Sequence, residues 1–378
     1  MAVISNKWVG VLSFFLLLLL AIPTDAAPQR RKNGNGNGAT TKGNGATTKG
    51  GATSKGGATG ATAGGATAGA AATKITQATD GSTILDKTVN VNGLSLRYKI
   101  SAPADQFTAE SGVTGGTATA GANGTAGLNV LLHGDGGQSF FDFPNQAVQD
   151  NLMGVAILAP DPNLFWGGGS GLDRTDGVAH SAAVNELIQT QLPQDVAFDM
   201  TNVFFMGVSG GSLMLSGFFM PAFGAQYQTG VELNCGALAP QVAVVDAATM
   251  IASNRIHFQS TKDELALLQD AIPASIAAYE QLATDAGLDA TTVGTLQTVD
   301  NTPNGGGHCG FDEQGFVTGV QLMADNFANV MGAQASGEVT GIGNVLTVIR
   351  CRERAGCIYE CRTSPKNDLN GYRNNTPC

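Results

Sequence analysis

The stretch Asn202-Val-Phe-Phe-Met-Gly-Val-Ser-Gly-Gly-Ser212 decides the fold. A short apolar run, 203–206, ends in Gly207-Val-Ser-Gly-Gly211, and a second apolar segment, 213–220, follows at once. The pattern Gly-x-Ser-x-Gly is weak alone in a chain with 52 glycines, so its context carries the argument. Strand, sharp turn, then helix is the context in which such a serine stands exposed as a nucleophile. The turn demands small neighbours, supplied by Gly207 and Gly211. The helix that follows aims its free N–H groups and the positive end of its dipole at the reaction site. The alternative is a glycine-rich turn holding an incidental serine.

Outward from this stretch, buried-strand runs recur. Leu128-Asn-Val-Leu-Leu132, residues 154–158, 241–245, 256–259 and 296–299 are short and apolar, as strands covered on both faces are. Between them lie helical patterns at 144–152, 178–192, 271–286 (stopped by Gly287) and 313–331. Upstream, alternating runs flank Asn92-Gly93, a strong two-residue hairpin signal. A hairpin followed by alternating strands and helices predicts an α/β fold, a mostly parallel sheet with helices on both faces. Chemistry in such sheets gathers at the carboxyl ends of the strands.

A serine nucleophile needs a base, and the base needs an acid to orient it. Of four histidines, His257 falls inside a strand run, His180 at a helix start and His133 at the head of a glycine turn. His308 follows the last strand in Asn304-Gly-Gly-Gly-His308 and is the best base. For the acid, Asp263 in Ser260-Thr-Lys-Asp-Glu264 is the first choice, with a helix cap as its bland alternative. Asp246 is the main rival and Glu264 a lesser one. Phe140, Phe141, Phe143 and Trp166 fall in nearby loops and are candidates either for a substrate pocket or for packing.

The order Ser209, Asp263, His308 is that of the α/β-hydrolases. On His133-Gly-Asp-Gly-Gly137, Gly207-Val-Ser-Gly-Gly211, Thr261-Lys-Asp263 and Gly307-His308, residues 88–331 resemble that superfamily. More narrowly they resemble secreted serine esterases of the polyhydroxybutyrate depolymerase and feruloyl esterase kind. The resemblance implies an oxyanion hole with the Gly210 N–H as one donor and Asp135 or Gly136 as the second. Asp135 stands where lipase-type motifs have glycine. Ser209-Gly-Gly211 also suggests trypsin-like peptidases, but those are all-β and place histidine and aspartate ahead of the serine.

Composition divides the chain into regions. Residues 1–27 read as a secretory signal, with Lys7, an apolar core at 9–22 and small residues near 26. Its apolar run is short for a membrane span, and no span is expected elsewhere. Arg30-Arg31-Lys32 is either a processing site or a solvated cluster. Residues 28–74, almost entirely Gly, Ala, Thr, Asn, Ser and Lys, lack side chains to bury and are expected to be a disordered tail. Residues 75–345 form the hydrolase domain, with a low-complexity surface insertion at 111–127. Residues 346–378 form a cysteine-rich extension.

Within 75–349 there are 6 Lys/Arg against 26 Asp/Glu, a balance of −20. That argues against nucleic acid and anionic membranes as partners. It suits an extracellular enzyme in acidic medium, or simple solubility. The six cysteines, 235, 309, 351, 357, 361 and 378, read as disulfides behind a signal peptide, and a zinc cluster is the poorer reading. Cys235–Cys309 is the expected brace of the base-bearing loop, with Cys351, Cys357, Cys361 and Cys378 pairing among themselves. A free Cys235, with Cys309 joined to the C-terminal group, is the rival. Asn123 and Asn374 head glycosylation sequons. The expectation is a secreted serine hydrolase acting on a small or polymeric ester through a Ser-His-Asp triad, with no cofactor and no metal. The alternatives are a non-catalytic surface or wall protein and a serine peptidase of the same fold.

Overall fold

The computed structural model describes residues 73–78, 80–142, 151–332, 338–339, 344–345, 347–354 and 357–365. The signal-like stretch 1–27, the Arg30–Lys32 cluster, most of the expected tail, Phe143, Asn374 and Cys378 lie outside them.

The strands in chain order are β1 Lys74–Gln77, β2 Thr83–Val91, β3 Leu94–Ala102, β4 Gly127–Leu132, β5 Leu152–Leu158, β6 Val203–Val208, β7 Gly230–Asn234, β8 Arg255–Gln259 and β9 Gln297–Asp300. A small ladder, β10 Glu338–Val339 with β11 Asn344–Val345, precedes β12 Thr347–Arg354 and β13 Cys357–Pro365. Among the described residues, eleven strands share one sheet in the order β1-β2-β3-β5-β4-β6-β7-β8-β9-β12-β13. The central six, β5 to β9, run parallel, and β3 and β12 flank them antiparallel. Thus two strands from the cysteine-rich stretch continue the same sheet. Asn92 and Gly93, both at positive φ (54° and 84°), join Val91 to its register partner Leu94 in a two-residue turn.

The parallel strands are apolar on both faces because both faces are covered. On β4, Val130 and Leu132 enter one buried cluster and Leu131 the other. One cluster packs under the helical segment that runs from Gly210–Met214 through a wide turn at Leu215–Phe219 to Met220–Tyr227. The other packs under Phe316–Asp325 and Phe327–Met331, which break the single expected helix in two.

Two sequence expectations are corrected. Residues 241–245 are not a strand: the N–H groups of Gln241 and Val245 bond to Gly217 and Pro221 carbonyls, laying this run along the preceding helix. The strand there is β7, whose Glu232 and Asn234 are polar but buried, which hid it from an apolar pattern. Leu152 opens β5 rather than closing a helix; the described helix before it is Gln138–Asp142. The 111–127 insertion is pinned to the domain by bridges Thr108–Ala118 and Asn123–Phe198, with Val113 buried.

Sheet order fixes where a ligand can sit. The chain leaves β4 toward β5 on one side and leaves β6 toward β7 on the other, although β4 and β6 are neighbours. Their outgoing loops diverge and open a crevice at the carboxyl ends. The two loops are 133–137 and the turn at Ser209.

Candidate active site

Ser209 follows β6 directly and caps the helix Gly210–Met214, at φ 49° and ψ −112°. A non-glycine residue there is strained, and such strain persists only where the surroundings enforce it. The Ser209 N–H donates to Asn234 O (2.8 Å), as does Ser212 Oγ (2.8 Å), tying the turn to the end of β7. Backbone packs close on either side. A Cβ on Gly207 would come within 2.7 Å of the Ser212 backbone, and one on Gly211 within 2.0 Å of Leu132 O. The small flanks expected from sequence are therefore enforced by close approach.

His308 Nε2 lies 2.9 Å from Ser209 Oγ. Its Nδ1 lies 2.5 Å from Glu264 Oε2. The carboxylate that meets His308 is thus Glu264, correcting the expectation of Asp263. Glu264 is buried with 2 % of its side chain exposed, and its Oε1 accepts the Thr261 N–H at 3.2 Å. Asp263, in the turn just before, is exposed. The turn after β8 projects the two neighbours to opposite sides, and only Glu264 faces the crevice. Asp246 is also excluded: its side chain accepts the Thr249 N–H and caps the helix Ala247–Ser253.

The loop of His308 is held from two sides. Thr261 Oγ1 donates to Gly307 O (3.1 Å), and Cys309 is bonded to Cys235, their Cα atoms 5.1 Å apart. Cys235 follows β7 and gives its N–H to Gln259 O (2.7 Å). The expected brace is present, with Cys235 at the start of the connection that runs from β7 past residue 241. Cys351 and Cys361 are register partners across β12 and β13. The cysteine sulfurs and the His308 ring also lie within 4.8 Å of one another. They form no metal site, since the sulfurs are bonded to each other and Nδ1 faces Glu264.

On the facing loop, His133 is buried, which pushes its pKa down to about 4. The neutral ring donates from Nδ1 to Gly134 O (2.6 Å) and accepts the Ala159 N–H at Nε2 (2.9 Å). Gly136 N–H is engaged with Leu164 O (3.2 Å). Neither Asp135 N–H nor Gly210 N–H has a hydrogen-bond partner among the described residues. A Cβ on Gly210 would lie 3.2 Å from Asp135 N, so the two free donors are close neighbours. Of the two sequence candidates for the second donor, Asp135 is the available one.

Phe140 and Trp166 do not line the crevice, since both are fully buried. Phe140 lies under Lys99, whose Nζ stands 4.2 Å from the ring centroid and donates to Phe140 O (3.0 Å). Trp166 packs between His133 and His180, with ring centroids 5.5 and 6.2 Å away. Each ring is wedged beneath the loops rather than over them. His180 accepts the Gly167 N–H, and His257 is a buried sheet residue bonded to Thr298 and Gln259. Two further residues near the crevice carry no motif in the sequence. Phe316, half-buried, stands 6.3 Å from the His308 ring. Arg174 grips Asp135 with two hydrogen bonds of 2.7 Å. Scarcity of cations was the signal that could have raised Arg174.

No protein-family model and no curated protein matches the chain. Solved structures do. A ferulic acid esterase is 13 % identical with a TM-score of 0.39, covering 66 % of this chain and 99 % of its own. The feruloyl esterase module from Clostridium thermocellum, complexed with sinapinate, is 10 % identical with a TM-score of 0.37, covering 62 % and 84 %. A cold-adapted esterase from an Arctic intertidal metagenomic library is 15 % identical with a TM-score of 0.36, covering 67 % and 96 %.

Proposed function

We propose that the protein is a secreted serine hydrolase that cleaves carboxylic esters through an acyl-enzyme on Ser209. The observation that carries this is His308, which joins Ser209 Oγ on one ring nitrogen to Glu264 on the other. The acid is a glutamate, a variant the chain order of the α/β-hydrolases accommodates. Secretion rests on the signal-like sequence at 1–27 and agrees with the Cys235–Cys309 disulfide.

The chemistry follows from the contacts. Ser209 Oγ passes its proton to His308 Nε2 and attacks the ester carbonyl, whose C=O electron pair moves onto oxygen. Glu264, accepting from Nδ1–H, fixes the tautomer and stabilises the imidazolium. The oxyanion meets the N–H groups of Gly210 and Asp135, donors worth about 3–4 kcal/mol each when aimed at developing charge. The carbonyl reforms, the alcohol leaves with the proton from His308, and the acyl group stays on Ser209. Water then repeats the sequence, giving the acid and restoring the serine.

A complete serine–base–acid constellation favours an enzyme over the non-catalytic wall protein. A panel of acyl esters, run beside fluorophosphonate labelling, tests the reading. Ester turnover with a probe adduct that Ser209→Ala abolishes is the expected result. The absence of both turnover and labelling would sink the enzyme reading, and amide cleavage without ester cleavage would favour the peptidase.

A further inference from the structure

Residues 75–349 hold only 6 Lys/Arg against 26 Asp/Glu, so a buried cation beside the crevice calls for a reason. Arg174 is such a cation, with 1 % of its side chain exposed. Its two terminal nitrogens reach Asp135 Oδ1 and Oδ2, both at 2.7 Å. They also donate to Trp166 O (3.0 Å) and Gly171 O (2.8 Å), so the guanidinium joins the glycine-rich loop to the 133–137 turn. A planar fork that meets both carboxylate oxygens fixes orientation as well as charge.

The position of the carboxylate gives the pair its meaning. Asp135 Oδ1 lies 2.0 Å from where a Cβ on Gly210 would be, so it presses against the Gly210 backbone. Gly210 and Asp135 carry the two free N–H groups assigned to the oxyanion. A formal negative charge therefore stands beside the place where the transition state gathers its own. Alone it would oppose that charge, and a free carboxylate could also turn its own main chain away.

We propose that Arg174 is a positioning residue for the oxyanion hole: it neutralises Asp135 and holds the Asp135 N–H in line with that of Gly210. This rests on the serine hydrolase reading and adds the reason an aspartate is tolerated in this turn. Gly210 belongs to the same device, since any side chain there would collide with the paired carboxylate.

The test uses the full chain and a chromogenic acyl ester. Arg174→Met should lower kcat about 100-fold while KM stays within about threefold, the split expected when an interaction made in the transition state is lost. The double variant Asp135→Asn, Arg174→Met removes the stranded charge and should regain at least about tenfold in kcat. An arginine needed only for packing predicts a double variant no better than the single. That result, or a kcat within threefold of wild type in Arg174→Met, overturns the proposal. If Arg174→Met does not fold, Arg174→Lys decides, since it keeps the charge and loses the fork. A kcat loss of about tenfold supports the proposal and an unchanged kcat overturns it. A wild type that neither turns over esters nor takes the fluorophosphonate probe would instead strike the hydrolase reading itself.

Discussion

Glu264 and Asp263 are chain neighbours, yet only Glu264 reaches His308, and the difference sets the first prediction. Glu264→Gln keeps the shape but loses the charge and invites the wrong tautomer, so kcat should fall about 10³–10⁴-fold. Asp263→Asn, on the exposed side of the turn, should leave kcat within about twofold. Steady-state kinetics on both variants checks this, and an inversion would return the acid to Asp263. The meeting of Ser209 and His308 was legible in the sequence because each stands in a glycine turn that follows a strand run. The carboxylate that meets His308 was legible only to within one position, because which side of a two-residue turn faces the crevice depends on how that turn leaves β8. Phe140 and Trp166 misled for a related reason: a loop residue near a site in sequence can point beneath the loop.

At the scale of elements, the crevice exists because β4 and β6 send the chain in opposite directions, and the disulfide joins the end of β7 to the loop after β9. The bridge spans a sequence separation of 74 residues. Replacing both cysteines by alanine should destabilise by about 2–4 kcal/mol on the loop-entropy account. It should also lower kcat more than it raises KM, since Cys309 is the neighbour of His308. Thermal unfolding and kinetics of the double variant check this, and an unchanged melting temperature and kcat would show that the brace is idle. Most strands were legible because parallel strands covered on both faces are apolar runs. β7 was not, because Gly230-Val-Glu-Leu-Asn234 places two polar side chains in a buried strand. Residues 241–245 took its place in the reading because apolar residues that pad a helix look, in sequence, like a strand.

The molecule as a whole carries that buried polarity as a pH dependence. Burial pushes Glu232 up to about 8 from an ordinary 4.5, so the folded chain keeps a proton that the unfolded chain releases. Stability from this group therefore falls as pH rises from 4.5 toward 8. Burial pushes His133 and His257 down to about 4 from 6.5, so the unfolded chain binds those protons first and stability falls as pH drops through that window. Between about pH 4.5 and 6.5 the two histidines outweigh the one glutamate, so stability from these groups rises through that window, falls above it, and should be greatest near pH 6.5. Glu232→Gln should raise the unfolding midpoint at pH 8 by more than at pH 4.5, measured in urea. An equal shift at both values would mean Glu232 is ionised in the fold. A mildly acidic optimum agrees with the excess of carboxylates over cations.

The central claim is that Ser209 carries the acyl group. The direct measurement is peptide mass mapping of the protein quenched within the first turnover of an activated acyl ester. One acyl adduct is expected, on the peptide holding Ser209 and absent from Ser209→Ala. An adduct on another residue, or rapid turnover with no adduct at any quench time, would contradict it.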